Sequence, residues 1–279
     1  MKKRITPGPF FNGCYRQVIV IAATLVVLFP IYFMLVSAFK SQSEYITNLW
    51  GLPKKLILDN FNTAMAGGQF FRRFGNSAIL AVGSVAISTI LACLAAYPFA
   101  RMKFRGKRTL FNLILALMVI PPVVMVVPLF VSMVNLNLVN TYQGTIIIYT
   151  GLLLPFSIYL MTNFFQTIPH EIIEAARMDG CTSLGVFWRI LIPLSMPALV
   201  TLVVVNALWV WNELLIALVF MQKDQLKTLM VGISALRSRN YVNIPATMAG
   251  LVIATIPIIV VYMIGQRYFI RGMTSGAVK

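Results

Sequence analysis

The chain has 279 residues, of which 59% are apolar or aromatic and only 11% are charged. Soluble domains average roughly 45–50% apolar and about 25% charged residues. A soluble domain of this length could not cover so much apolar surface, so the composition excludes a soluble enzyme, a disordered chain and a secreted disulfide scaffold. It predicts a polytopic membrane protein.

The formal net charge is +16, from 23 Lys and Arg against 7 Asp and Glu. We interpret the excess as basic residues that flank membrane spans and face anionic lipid headgroups, and not as a nucleic-acid surface. Cys14, Cys93 and Cys181 are far apart, and His170 is the single histidine. The sequence therefore predicts reduced, structural cysteines and no His/Cys-rich metal site.

Six apolar runs are long enough to cross a bilayer, which takes about 20 helical residues. They lack the period-two alternation of a membrane barrel, so we predict helices throughout and an all-α fold. The first run is longer than the apolar region of a signal peptide, and we interpret it as an uncleaved span. The predicted spans are 17–39, 76–100, 109–133, 144–165, 194–219 and 246–266.

The distribution of Lys and Arg predicts that both termini lie inside. With that orientation, the inner segments hold 14 of the 23 basic residues and the outer segments hold 9. The densest cluster is the short inner loop 101–108, which holds five basic residues. Short loops are where the positive-inside rule is strongest.

Prolines inside the predicted spans indicate bends. Pro121 and Pro122, with Pro128 one to two turns later, mark the best candidate for a broken helix in the third span. The alternatives are a functional hinge or cavity wall and the ordinary bending common in membrane helices.

Ionisable groups are nearly absent from the spans, and only Glu213 among the seven acidic residues falls inside one. Proton relays and intramembrane proteases need more such groups. The chain also lacks a glycine-rich GKS or GKT phosphate loop, so energy for any work must come from another subunit. For Glu213 two interpretations stay open: a carboxylate at headgroup level, or one that faces a translocation path or locks helices together.

The loop 168–193 is the most informative segment. Pro169 suits the start of a short helix over 169–179, and Gly180 suits a left-handed residue that ends it. Thr182 or Ser183 can cap a second short helix. Pro193 then marks the bend into the fifth span.

The residues of this loop resemble a known family. The pattern EAAxxDG at 174–180, followed by ILIP at 190–193, resembles the "EAA" loop of permease subunits of ATP-binding-cassette (ABC) importers. Further stretches resemble the carbohydrate branch of that family: NS at 76–77, YxxARxxFRG at 97–106, NTY at 140–142, WNE at 211–213 and the C-terminal segment 266–279. One departure is Cys181, where the family usually has alanine.

The resemblance implies a type I ABC importer permease fold with six transmembrane helices, N-in/C-in, and a core region over about residues 71–267. It implies a complex with a homologous permease subunit, two ATPase subunits and an extracytoplasmic solute-binding protein, in the cytoplasmic membrane of a bacterium or archaeon. ATP and Mg²⁺ would be bound by the partner ATPase, so we expect no cofactor and no catalytic site in this chain. The loop helix would couple ATP binding to alternating access, through Glu174, Ala175, Ala176, Asp179 and Gly180.

A sugar is the substrate class that the resemblance implies. Sugars are bound by planar hydrogen-bonding groups and by aromatic stacking, and the alternative role of such residues is interhelical packing. The candidates for a substrate path are Tyr149, Ser157, Tyr159, Asn206, Trp209 and Glu213.

Three other functions stay open at this point. One is a type I importer permease for another solute, such as a polyamine, an amino acid or glycerol phosphate. Another is a membrane-embedded enzyme, for which His170 with Glu171 and Glu174 is the single candidate cluster. The last is an ion channel or scaffold, which would not require the EAA pattern.

Overall fold

The computed structural model describes the backbone of residues 9–65, 69–236 and 243–275 and the side chains of 16–65, 69–236 and 243–266. Within these ranges the chain is helical and has no strand. Besides α-helices there is one π-helical turn, Phe187–Leu191. The α-helices are α1 (Pro9–Ala38), α2 (Gln42–Thr47), α3 (Asp59–Met65), α4 (Phe70–Arg101), α5 (Lys107–Leu117), α6 (Pro122–Asn135), α7 (Tyr142–Thr167), α8 (His170–Met178), α9 (Ser183–Val186), α10 (Ile192–Leu194), α11 (Met196–Asn212), α12 (Leu215–Phe220), α13 (Leu229–Ser234) and α14 (Ile244–Ser275).

Four stretches within the described helices are each long and apolar enough to cross a membrane: Arg16–Ala38, Phe70–Arg101, Tyr142–Thr167 and Ile244–Gln266. Two further spans result if each of two bent helix pairs counts as one crossing. These pairs are α5 with α6, and Ser183–Leu194 with α11. The part of the chain that the structure describes therefore has four to six candidate spans, and the predicted number of six requires both bent pairs.

The third predicted span is broken where its prolines predict a break. Helix α5 ends at Leu117, α6 begins at Pro122, and the two axes differ by 97°. Pro121 has extended backbone (φ −63°, ψ 134°), and the next residue, Pro122, is the first residue of α6. A proline favours extended backbone in the residue before it and has no N–H for a helical hydrogen bond, so the pair separates the two helices.

The fifth predicted span, 194–219, is not one continuous helix. Helix α11 ends at Asn212, Glu213 has extended backbone (φ −70°, ψ 125°), and α12 begins at Leu215. The sequence shows no glycine or proline at this break, and the contacts of the Glu213 side chain that account for it are described with the site below.

The chain divides into two compact units. In the described residues, the first unit contains 9–65, 233–236 and 243–253, and the second contains 69–232 and 254–275. In the first unit, the fully buried Lys40 follows α1 and its Nζ donates to Asn48 O (2.6 Å) and Leu49 O (3.1 Å). The Asn60 amide donates to Ala38 O (2.8 Å), so it satisfies a carbonyl that the end of α1 leaves free.

The core of the second unit consists of α4, α7 and α11. One apolar cluster contains Leu80 of α4 and Tyr149 of α7, and another contains Tyr97 of α4 and Phe165 of α7. Because the early residues of both helices share one cluster and the late residues share the other, α4 and α7 run parallel. The chain must return between them, so the bent pair α5 and α6 spans the length of this core and counts as one crossing.

The loops of the second unit sort to its two ends. The end with Phe165 carries α8 and the basic loop 101–108, since Ile173 and Met102 both pack in that cluster. The other end carries the loop before α7, because Asn140 N–H donates to Phe220 O (2.9 Å). Within the second unit, the predicted inner segments 101–108 and 166–193 therefore share one end, and the predicted outer segment 134–143 lies at the other end with the start of 220–245.

Candidate functional site

The loop helix α8 has a well-defined end. Asp179 is its last, capping residue, and Gly180 follows with the left-handed φ of +83°. The Cys181 N–H donates to Ala176 O (2.9 Å) and the Gly180 N–H donates to Arg177 O (3.0 Å). This pair of bonds is a Schellman motif, which satisfies carbonyls at the helix end and favours glycine.

The other end of α8 and the start of α9 differ from the prediction only in detail. Pro169 has extended backbone (ψ 140°), so the helix begins one residue later, at His170. Of the two residues predicted to cap the second helix, Thr182 is the cap, and its Oγ1 accepts from Gly185 N (3.1 Å).

Helix α8 has an inner and an outer face. Ile173 and Ala176 are buried in the cluster with Phe165 and Phe187. Glu174, Ala175 and Asp179 are exposed, and Glu174 Oε1 lies 3.1 Å from His170 Nδ1 on the same outer face. Ala176 therefore packs inside this chain, and of the two alanines predicted as coupling residues only Ala175 is exposed.

Two apolar residues on the outer face were not predicted from the sequence. Met178 is 89% exposed and Ile172 is 41% exposed. With Glu174 and Ala175 they make α8 a solvent-facing surface with both charged and apolar groups. The signal was present in the helical spacing, because Met178 is four residues after Glu174 and therefore lies on the same face.

One arginine ties α8 to the core of the second unit. Arg101, the last residue of α4, donates through Nη2 to Phe165 O and Ile168 O. These carbonyls lie at the end of α7, where a helix leaves its last carbonyls without intrahelical partners. The guanidinium therefore fixes the short connection between α7 and α8.

Two of the candidate substrate residues, Asn206 and Trp209, line a cavity of about 540 Å³ in the second unit. Its walls come from α6, α7, α11 and the broken segment before α6, and they are apolar apart from the side chain of Asn206 and the indole of Trp209. No lining residue is charged. The break in the third span thus forms part of the cavity wall.

The remaining candidates divide into buried and exposed groups. Ser157 Oγ accepts from Asn206 Nδ2 (2.9 Å), and both residues are buried. The buried Tyr149 ring meets Trp209 edge to face at 5.9 Å between centroids. Tyr159 is 39% exposed and is not among the residues that line this cavity. The structure therefore places Asn206 and Trp209 in the cavity wall, joins Ser157 and Tyr149 to them by these contacts, and leaves Tyr159 outside that wall.

Glu213 explains the break in the fifth predicted span. Its carboxylate accepts from Ile216 N (2.9 Å) and Ala217 N (3.1 Å), the free donors at the start of α12. Tyr149 Oη donates to the same carboxylate at 2.8 Å. Glu213 thus caps α12 and joins it to α7, which supports the interpretation that it locks helices together.

Other residues of the family resemblance hold the same end of the second unit. Asn76 Nδ2 donates to Gln225 O and Lys227 O (both 2.9 Å), and Tyr142 Oη donates to Asn76 Oδ1 (2.6 Å). Asn140 has a left-handed φ of 60° and accepts from two backbone N–H groups of the segment after α12. The side chains of the C-terminal segment from 267 onwards lie outside the described residues.

The described residues include no group of three or more His, Cys, Asp and Glu that could hold a metal ion. Cys93 and Cys181 are free thiols, and Cys14 lies outside the described side chains. Long apolar helices, a surface helix on a glycine-ended loop and an uncharged cavity between helices define a membrane permease.

Comparison with known proteins identifies the family. The family model described as "Binding-protein-dependent transport system inner membrane component" matches residues 88–275. The core region that the resemblance implied, about 71–267, overlaps most of this range. The chain belongs to this family of ABC transporter permeases. It is 39% identical to the "Putative ABC transporter permease protein ORF2" of Caldicellulosiruptor sp. (strain Rt8B.4), over 92% of this chain and 93% of that protein.

Two further proteins are similar along nearly their whole length. The "Melibiose/raffinose/stachyose import permease protein MelC" of Bacillus subtilis (strain 168) is 33% identical over 90% of this chain and 91% of its own. A chain in the crystal structure of a bacterial ABC transporter involved in the import of the acidic polysaccharide alginate superposes with a TM-score of 0.78. That chain is 25% identical, with 96% of this chain and 100% of that chain covered. The fold class is therefore confirmed as that of a type I ABC importer permease.

Proposed function

We propose that this chain is the permease subunit of an ATP-driven, binding-protein-dependent sugar importer in the cytoplasmic membrane of a bacterium or archaeon. Its partners would be a homologous permease subunit, two ATPase subunits that bind ATP and Mg²⁺, and an extracytoplasmic solute-binding protein. The observation that carries the proposal is α8, a short helix ended by Gly180 that presents exposed charged and apolar side chains within a permease fold.

Helix α8 is the surface that we assign to the ATPase. Glu174 and Asp179 would meet basic groups of the ATPase, and the exposed Met178 and Ile172 would fill apolar positions between them. Because the inner face of α8 packs through Ile173 and Ala176 into the cluster that contains Phe165 of α7, a displacement of α8 reaches the helices directly. This is the rigid-body movement that alternating access requires.

The substrate class follows from the relatives and from the cavity. MelC is named for the import of melibiose, raffinose and stachyose. The cavity of about 540 Å³ has the indole of Trp209 for stacking, the amide of Asn206 for hydrogen bonds and no charged lining residue. These features favour a neutral sugar over an anionic solute.

The ATPase contact can be tested by affinity purification of the tagged chain in mild detergent. We expect a P-loop ATPase and a second permease to copurify with the wild type. With the Met178→Asp variant, the amount of ATPase that copurifies should fall at least about tenfold, because the substitution places a charge in the core of the interface. Leu136→Asp is the control: it also replaces an exposed apolar residue by aspartate, but at the opposite end of the second unit.

Gly180→Asp provides a functional test of the same loop. An aspartate at φ +83° strains the helix end, and we expect normal membrane insertion with ATP hydrolysis uncoupled from uptake. Unchanged uptake in this variant, or an ATPase that copurifies equally with Met178→Asp and Leu136→Asp, would overturn the assignment of α8.

The sugar contact is tested separately by uptake kinetics. Trp209→Ala should lower uptake of the transported sugar about tenfold, which corresponds to the loss of one stacking contact, while the ATPase still copurifies. Tyr159→Ala removes an aromatic ring of similar exposure that does not line the cavity, so uptake should be retained. Equal uptake in the two variants would contradict a substrate contact at Trp209.

A further inference from the structure

A second cavity, of about 520 Å³, lies at the end of the second unit that carries α8. It is formed where α4 ends, α5 begins and α7 approaches its last turns. Its walls combine aromatic, basic and neutral polar side chains, among them Phe99, Phe104, Lys107, Arg108, Thr162 and Gln166. The substrate path and the outer face of α8 do not use these residues.

Part of the cavity wall comes from a basic loop that contains no acidic residue. The loop 101–108 holds five basic residues and no acidic one. The ion pairs among the described side chains lie elsewhere, at His170 with Glu174 and at Lys227 with Asp224. Lys107 Nζ donates to Met102 O (3.1 Å) and keeps two further N–H donors, while Arg108 is exposed.

Two neutral features also favour an anion. Helix α5, with 11 residues, begins after Gly106 at φ 80°, and no side chain caps its first N–H groups. An uncapped helix start attracts negative groups. Thr162 lines the cavity and is 1% exposed, and its hydroxyl has no hydrogen-bond partner among the described residues. A buried hydroxyl without a partner costs free energy unless a ligand supplies one.

We propose that this cavity binds the phosphate of an anionic phospholipid headgroup. Lys107 and Arg108 supply the charge, the start of α5 supplies backbone donors, and the Thr162 hydroxyl supplies a neutral one. Phe99 and Phe104 form an apolar wall for the glycerol and the first acyl carbons. A lipid is the source that the position favours, because the cavity lies where two long apolar helices end, as at the boundary of a bilayer.

The experiment is a lipid titration of the delipidated full chain in detergent, followed by native mass spectrometry. The probes are phosphatidylglycerol and phosphatidylcholine with the same acyl chains. We expect one phosphatidylglycerol to bind with preference over phosphatidylcholine. The double variant Lys107→Gln/Arg108→Gln should weaken it about 30-fold, because each cation near an anionic headgroup contributes about fivefold.

The matched control is Lys103→Gln/Arg105→Gln, which removes the same charge from the same loop at residues that do not line the cavity. It should change the affinity less than about threefold, as expected for exposed and screened charges. Thr162→Val keeps the shape of the side chain and removes the donor, so it should weaken the binding of phosphatidylglycerol while the melting temperature of the lipid-free chain does not fall.

Equal losses in the two double variants would overturn the proposal in favour of diffuse attraction to the basic loop. Equal binding of the two lipids would also overturn it. Displacement of the lipid by millimolar inorganic phosphate would instead identify a site for a soluble phosphate and overturn the lipid assignment. The test does not depend on transport, so its failure would leave the proposed importer function untouched.

Discussion

Single side chains decide several of the turns in this chain. Glu213 accepts three hydrogen bonds, two from backbone N–H groups of α12 and one from the Tyr149 hydroxyl. A carboxylate offers enough lone pairs for all three, and a glutamine offers one oxygen in place of two. Both carboxyl oxygens of Glu213 therefore have a structural use at this position, where α11 ends and α12 begins.

Glu213→Gln should lower stability by about 1–3 kcal/mol, because donors that the carboxylate satisfies lose their acceptor. The measurement is the thermal unfolding of the purified chain in detergent. Tyr149→Phe should show part of the same loss. Glu171→Gln, an exposed acid on α8, is the control and should stay within about 0.5 kcal/mol of wild type. A melt of Glu213→Gln equal to that control would contradict the capping role.

At the scale of elements, helix ends determine the candidate coupling surface more than helix interiors do. Helix α8 is placed by the glycine-ended turn after it and by the Arg101 contact before it. The sequence predicts the first of these, since a glycine after an EAAxxD segment marks a left-handed residue. It does not predict the second, because Arg101 and Phe165 are 64 residues apart in the chain.

Arg101→Ala should loosen the connection between α7 and α8. Two carbonyls lose a charged donor, so local opening should become easier by about 1.4 kcal/mol or more, which is about a tenfold faster amide exchange. Hydrogen exchange of peptides that cover 165–175 measures this directly. Arg105→Ala removes an exposed arginine from the same loop, and exchange as fast in that control as in Arg101→Ala would refute the anchoring role.

The two broken spans differ in what could be predicted. The third breaks at Pro121 and Pro122, where the chemistry of proline is visible in the sequence. The fifth breaks at Glu213, where the local sequence favours a continuous helix, and only contacts with α12 and α7 favour the break. A local cap of α12 and a hydrogen bond from α7 together override the helix propensity at this position.

At the scale of the whole molecule, the direction of α4 and α7 fixes which loops share an end. The clusters of Leu80 with Tyr149 and of Tyr97 with Phe165 require the two helices to be parallel. The loop 101–108 and helix α8 then lie together, and the segments around Asn140 and Gln222 lie at the other end. The charge count predicts that the first of these ends is cytoplasmic.

Cysteine labelling in intact cells tests that orientation. In a chain without its native cysteines, Arg105→Cys and Leu184→Cys should resist a membrane-impermeant maleimide. Leu136→Cys and Gln222→Cys should react with it, and all four are exposed enough to react once the membrane is permeabilised. Reaction of Arg105→Cys from outside would reverse the predicted topology.

Much of this architecture follows from the sequence alone. Hydropathy determines the apolar helices, since each must satisfy its own backbone hydrogen bonds in a membrane. Proline and glycine determine the break before α6 and the end of α8, because their backbone preferences are local. The tertiary structure decided what depends on distant partners: the burial of Ala176, the position of Tyr159 outside the cavity wall and the hydrogen bond from Tyr149 to Glu213. A residue's neighbours across helices set its exposure and its hydrogen bonds, and those neighbours are known only once the helices are packed.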